Sequence, residues 1–96
     1  MSDPFRDEVV QAIEVYERVA GHPATRTWPM IERYGIIGAL SRLVVSPDLQ
    51  KGFKALRDSD QLKYTFEAIV VRHKERFEPD VVEAARWRLE NANELL

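Results

Sequence analysis

The sequence predicts an all-α protein, a compact bundle of five or six short helices forming a single domain over residues 1–96. Three observations predict it. Apolar side chains recur at helical spacing along most of the chain. Helix-start signals built on Asp and Pro precede the apolar stripes at Asp3-Pro4, Ser46-Pro47-Asp48 and Pro79-Asp80. The one stretch that also alternates like a strand, LKYTFEAIVV, has no Gly or Asn-Gly turn to fold it into a hairpin.

The first element begins at Asp3, an N-cap followed by Pro4 at the first helical position, with Asp7 and Glu8 where the helix dipole favours acids. Phe5, Val9, Ala12, Ile13, Tyr16, Val19 and Ala20 share one stripe, so this helix is amphipathic. Gly21 supplies a left-handed stop and Pro23 blocks continuation. Thr27 then caps a short helix through Tyr34, which Gly35 ends or kinks. Ile36, Leu40, Leu43 and Val44 form the apolar face of the next segment, which stops before Pro47.

A third helix is expected from Ser46, with Leu49, Phe53 and Leu56 inward, Gly52 beside them, and Lys51, Lys54 and Arg57 outward. Asp58, Ser59 and Asp60 read as a turn and cap, and Asp58 stands at capping-box distance from Gln61. The central helix is then expected over about residues 60–76, its stripe being Leu62, Phe66, Ile69, Val70, His73 and Phe77. Tyr64, Ala68 and Val71 give it a second apolar side. A strand over residues 62–71 is the competing reading, because the stretch is rich in β-branched and aromatic residues. The last helix opens at Pro79 and carries Val81, Val82, Ala85, Leu89, Ala92 and Leu96 on one face, with Trp87 projecting opposite.

Composition bounds what this bundle can do. Hydrophobic residues at 45% and charged residues at 31% describe a folding chain, and 96 residues support one core. Without cysteine there is no disulfide, thiolate nucleophile or Cys-ligated metal. The opening MSDPFRDEVV has neither the apolar run of a secretory signal nor that of a membrane span, so a cytoplasmic protein with no membrane partner is expected. The net charge of −2 hides a basic middle: eight bases against five acids between Gly35 and Phe77.

No catalytic or metal constellation stands out, so a non-enzyme with no cofactor is expected. His22 and His73 lie in different elements without metal-ligand spacing, and His73 reads as a boundary histidine bonded through one ring nitrogen. Glu14 with Glu17, and Glu32 with Glu67, are by period solvated helix-surface acids rather than a facing pair. Gly35 and Gly38 read as a turn and a close helix crossing, not a phosphate loop.

Two binding readings remain. Trp28, Tyr64, Val71 and Trp87 are large or apolar residues that a one-core packing does not clearly use, and such side chains anchor protein interfaces or a homodimer. The alternative is nucleic-acid binding through Lys51, Lys54 and Arg57, on the second helix of a helix-turn-helix-like run ALSRLVVSPDLQKGFKAL. A strand at 62–71 would supply a wing to that layout. Against it stand a turn without glycine and the acids Asp58 and Asp60 at the helix's far end.

The run from Tyr34 to Leu89, with YGIIGALSRLV, GFKALRDSDQL, TFEAIVVRH, Phe77 and VVEAARWRL, resembles a group of small uncharacterised bacterial α-helical proteins. The resemblance implies a helical fold and a bacterial cytoplasmic setting, and it carries no activity or ligand. The core is expected at Phe5, Val9, Ile13, Tyr16, Leu40, Leu43, Phe53, Leu56, Leu62, Phe66, Ile69, Val70 and Leu89. On that footing Phe66→Ala costs about 3–5 kcal/mol.

Overall fold

The structure, a computed structural model, describes residues 3–46 and 51–94. It is all-α: α1 (Pro4–Ala20), α2 (Thr27–Val45), α3 (Lys51–Asp58), α4 (Phe66–Arg72) and α5 (Pro79–Glu90). Three single 3-10 turns, Leu62–Tyr64, Lys74–Arg76 and Ala92–Glu94, complete it, and no strand occurs among the described residues. The radius of gyration, 12.4 Å, is that of one compact domain of this length, for which about 12.5 Å is usual. Pro47, Asp48, Leu49 and Gln50 lie outside the described residues, as does Leu96, so the helix start placed at Ser46 is described only from Lys51 onward.

The termini of α1 form as their residues dictate. Asp3 Oδ1 accepts the Phe5 N–H at 3.0 Å, and Gly21, at φ 76°, returns its N–H to the Glu17 carbonyl at 2.9 Å. Phe5, Val9, Ala12 and Ile13 are buried on the expected stripe, joined by Val15, while Tyr16 is half-buried. Helix α2 begins at Thr27 without a side-chain cap, Arg26 holding the cap position, so Thr27 is the first helical residue and not the cap. Gly35 breaks this helix internally at φ 76°, ψ 171°, a conformation open essentially to glycine alone. Gly38 has a local role where a helix crossing was expected: a Cβ there would meet Tyr34 Cβ at 2.9 Å, across the kink.

The central segment is helical, which removes the strand reading, but it is three pieces rather than one helix over 60–76. Helix α3 ends in a Schellman motif. Gln61 N–H reaches the Leu56 carbonyl at 2.7 Å and Asp60 N–H the Arg57 carbonyl at 3.0 Å, with Asp60 itself left-handed at φ 59°. The acidic cluster is therefore a helix stop, and no capping box forms between Asp58 and Gln61. The real cap lies later. Thr65 is extended at φ −75°, ψ 155°, and its buried hydroxyl accepts the Ala68 N–H at 3.1 Å while donating to the Leu62 carbonyl at 2.7 Å. One side chain thus closes the first 3-10 turn and opens α4.

Helix α4 is the centre of the molecule, packing on α5, α2 and α1. Ile69 and Val70 are fully buried there together with Leu40, Val44, Val9 and Ile13. The break at Thr65 rotates Leu62 and Phe66 out of line with them, so both are half-buried, as are Leu43 and Leu89. Those four, with Tyr16, border the core rather than fill it. Phe77 closes one end, edge-on to Phe5 at 6.2 Å between ring centres.

Candidate functional site

Of the four residues expected to be left over by the packing, the structure absorbs three. Trp28, Tyr64 and Val71 are half-buried and packed against the core cluster. Trp87 is different: it is 56% exposed on α5, opposite Val81, Val82 and Ala85. Tyr34, Ile37 and Val45 of α2 are the other exposed large hydrophobic residues among those described. Tyr34 is roofed by the Arg42 guanidinium at 3.9 Å from its ring centre, which tempers its apolar character. The structure therefore does not gather Trp28, Tyr64, Val71 and Trp87 onto one surface, and Trp87 stands as the exposed anchor of that set.

The basic helix face is also divided. Lys51 is exposed and Lys54 half-buried on α3. Arg57 is drawn inward, its side chain only 14% exposed. Its Nε lies 2.9 Å from Asp58 Oδ1, and its Nη1 donates to the Ala92 carbonyl at 3.1 Å, tying α3 to the C-terminal turn. With 62–71 helical, no wing accompanies this face.

His73 sits at the boundary, as its place on the stripe predicts. Its ring is edge-on to Phe5 at 4.8 Å, and its Nε2 lies 2.7 Å from Glu8 Oε2. Arg72 holds the other Glu8 oxygen, Nε at 2.6 Å and Nη2 at 2.5 Å. Partial burial raises the Glu8 pKa, but the hydrogen bonds and charges of His73 and Arg72 outweigh it, so the carboxyl ionises below its ordinary range. This cluster fastens α1 to the end of α4. Among the described residues no group of three His, Cys, Asp or Glu is placed to hold a metal ion, and no helix is long and apolar enough to cross a membrane.

The surface acids need one correction. Glu14 and Glu32 are exposed as expected, while Glu17 Oε2 accepts the Ala24 N–H at 2.8 Å and so holds the connection after α1. Glu67 is no surface acid. It is buried on α4, with Oε2 3.0 Å from Arg88 Nη1, and Arg88 is buried with it. The Arg88 guanidinium also donates to the carbonyls of Leu43, at 3.2 Å, and Ser46, at the C-terminal end of α2. One side chain thereby joins α5, α4 and α2. Burial pushes the Glu67 carboxyl above its ordinary pKa, while the Arg88 hydrogen bond, the backbone and the Arg88 charge pull the other way.

The sequence does carry a signal for Arg88. Counting from Val81 and Ala85, position 88 follows at i+7 and i+3 and Ala92 at i+4, so Arg88 lies on the apolar face. Glu67 gave no such signal, because four consecutive residues of α4, Glu67 to Val70, are buried and leave no polar side to contrast.

Beside Glu67 a cleft of about 460 Å³ opens between α1, the connection into α2, α3 and the start of α4. Tyr16, His22, Arg26, Lys51, Tyr64 and Glu67 are among its polar lining residues. The His22 ring stands edge-on to Tyr16 at 5.8 Å, and its Nδ1 donates to the Pro23 carbonyl at 3.0 Å. No protein-family model matches this chain, and neither a curated protein nor a solved structure matches it.

Proposed function

We propose that this protein is a non-enzymatic binding module that engages another protein, or a second copy of itself, through the outward face of α5. The observation that supports this is the Trp87 indole, more than half exposed on a helix whose next residue, Arg88, is pinned into the core. An aromatic side chain presented on a fixed backbone loses little conformational freedom on contact, which is why tryptophan so often dominates interface energetics. The kinship with small bacterial helical proteins belongs to the same proposal.

Sedimentation across a wide concentration range, with the wild type beside Trp87→Ser, tests self-association. Mass that rises with concentration in the wild type and not in the variant supports a homodimer. A strict monomer leaves the partner form of the proposal, tested by affinity capture with both proteins and direct titration of any partner purified. Partners that bind both proteins equally would overturn it. Nucleic-acid binding through Lys51 and Lys54 remains the alternative, and a low-salt titration against duplex DNA separates it from the protein reading.

A further inference from the structure

The cleft beside Glu67 is a feature separate from the Trp87 face. We infer that it is a binding site for a small organic monoanion, an aliphatic or aromatic body ending in one carboxylate. Its volume, about 460 Å³, lies within the range of sites that hold small molecules, roughly 300–1,000 Å³. Ile13, Phe53, Leu56 and Phe66 line it with apolar surface suited to the body of such a ligand.

The charged lining decides the sign of the head group. Arg26 and Lys51 border the cleft, and neither side chain has an ion pair or hydrogen bond among the described residues. Among the described lining residues the acid is Glu67, which is buried against Arg88 and offers no unmatched negative charge. A cationic ligand would meet two uncompensated cations and gain nothing from Glu67. A second charge on the ligand would have to leave water for a lining that is otherwise mostly aliphatic and aromatic, which favours a single charged head group. The first turn of α2 adds to this preference: Thr25, Arg26 and Thr27 line the cleft, and that turn has no acidic residue and no side-chain cap.

The walls are built to keep their shape. Tyr16 is braced edge-on by His22 on one side. On the other it lies over Gly52, where even an added Cβ would stand 3.5 Å from the ring. Tyr16 and Tyr64 turn aromatic rings into the cleft lining, and their hydroxyls have no protein hydrogen-bond partner among the described residues. An aromatic or aliphatic carboxylate can use both features, its body against the rings and its oxygens toward the hydroxyls and cations.

The test is an amide-correlation NMR titration of the intact protein with sodium decanoate, kept below its micelle concentration, beside decanol and decylamine as neutral and cationic counterparts. Decanoate is expected to give saturable shifts at Tyr16, Gly52, Tyr64 and Thr65, and to bind at least about tenfold more tightly than either counterpart. Arg26→Gln with Lys51→Gln should remove that preference while leaving the spectrum elsewhere unchanged, since neither side chain makes a contact on which the fold depends. Equal binding of decanol and decanoate, no saturable shift, or shifts confined to the Trp87 face would each overturn the assignment. Thermal unfolding of the double variant, expected to match the wild type, separates a lost site from a lost fold.

Discussion

Thr65 shows how much structure one side chain can set. A 3-10 turn and a helix meet at it, and its hydroxyl serves both, so deleting that hydroxyl leaves the buried Ala68 N–H without an acceptor. Thr65→Ala is expected to cost about 1–2 kcal/mol in urea unfolding, and Thr65→Ser to recover most of it. This cap is hard to see in the sequence because Asp58, Ser59 and Asp60 offer a stronger signal five to seven residues earlier. Those residues end α3 instead, with Asp60 accepting the left-handed position that glycine usually takes. At the opposite corner, Glu8 titrates below the ordinary carboxylate range, so its contribution is full above the unfolded value and is lost as pH falls through the lower folded value. Glu8→Gln should therefore cost about 1 kcal/mol near neutrality. The gap between variant and wild type should close in acid, as read from unfolding free energies across a pH series; a gap that is constant with pH would contradict the assignment.

Between elements, the two decisive devices are the Gly35 break and the Arg88 junction. Periodicity made α2 legible as two amphipathic pieces, and the glycine between them was visible, although its backbone angles were not. Gly35→Ala forces a Cβ into φ 76°, ψ 171°, and is expected to lose about 1–3 kcal/mol; nothing stands within 4 Å of the added Cβ, so the loss is purely conformational. Circular dichroism with thermal unfolding reads both the helix content and the loss. Arg88 was legible only as a charge at an apolar register, and its partner was not legible at all, because pairing across 21 residues depends on how α4 and α5 cross. Arg88→Met alone leaves Glu67 buried without its cation and should cost about 3–5 kcal/mol. Glu67→Met together with Arg88→Met should recover most of that, since the costly species is the unpaired charge; equal losses in the single and double variants would argue that the α2 carbonyls matter more than the carboxylate. Since the folded Glu67 pKa lies above its unfolded value, its ionisation opposes folding. Its contribution is fully present below the unfolded value and is lost as pH rises through the raised folded value.

For the whole molecule, the fold class and the secure terminal helices followed from caps and stripes that are local in sequence. The identity of the deepest residues followed less well. Ile69 and Val70 are completely buried, while Phe66, placed on the same stripe by an unbroken helical count, is turned partly to solvent by the extended backbone at Thr65. Tyr64 and Val71 pack within the monomer and leave Trp87 as the exposed member of the expected interface set. The most direct measurement is therefore acrylamide quenching of the two single-tryptophan proteins, Trp28→Phe and Trp87→Phe, as dilute monomers. The account predicts that Trp87 is quenched nearly as freely as a solvated indole and Trp28 markedly less. Equal protection of the two, or a shielded Trp87, would contradict it.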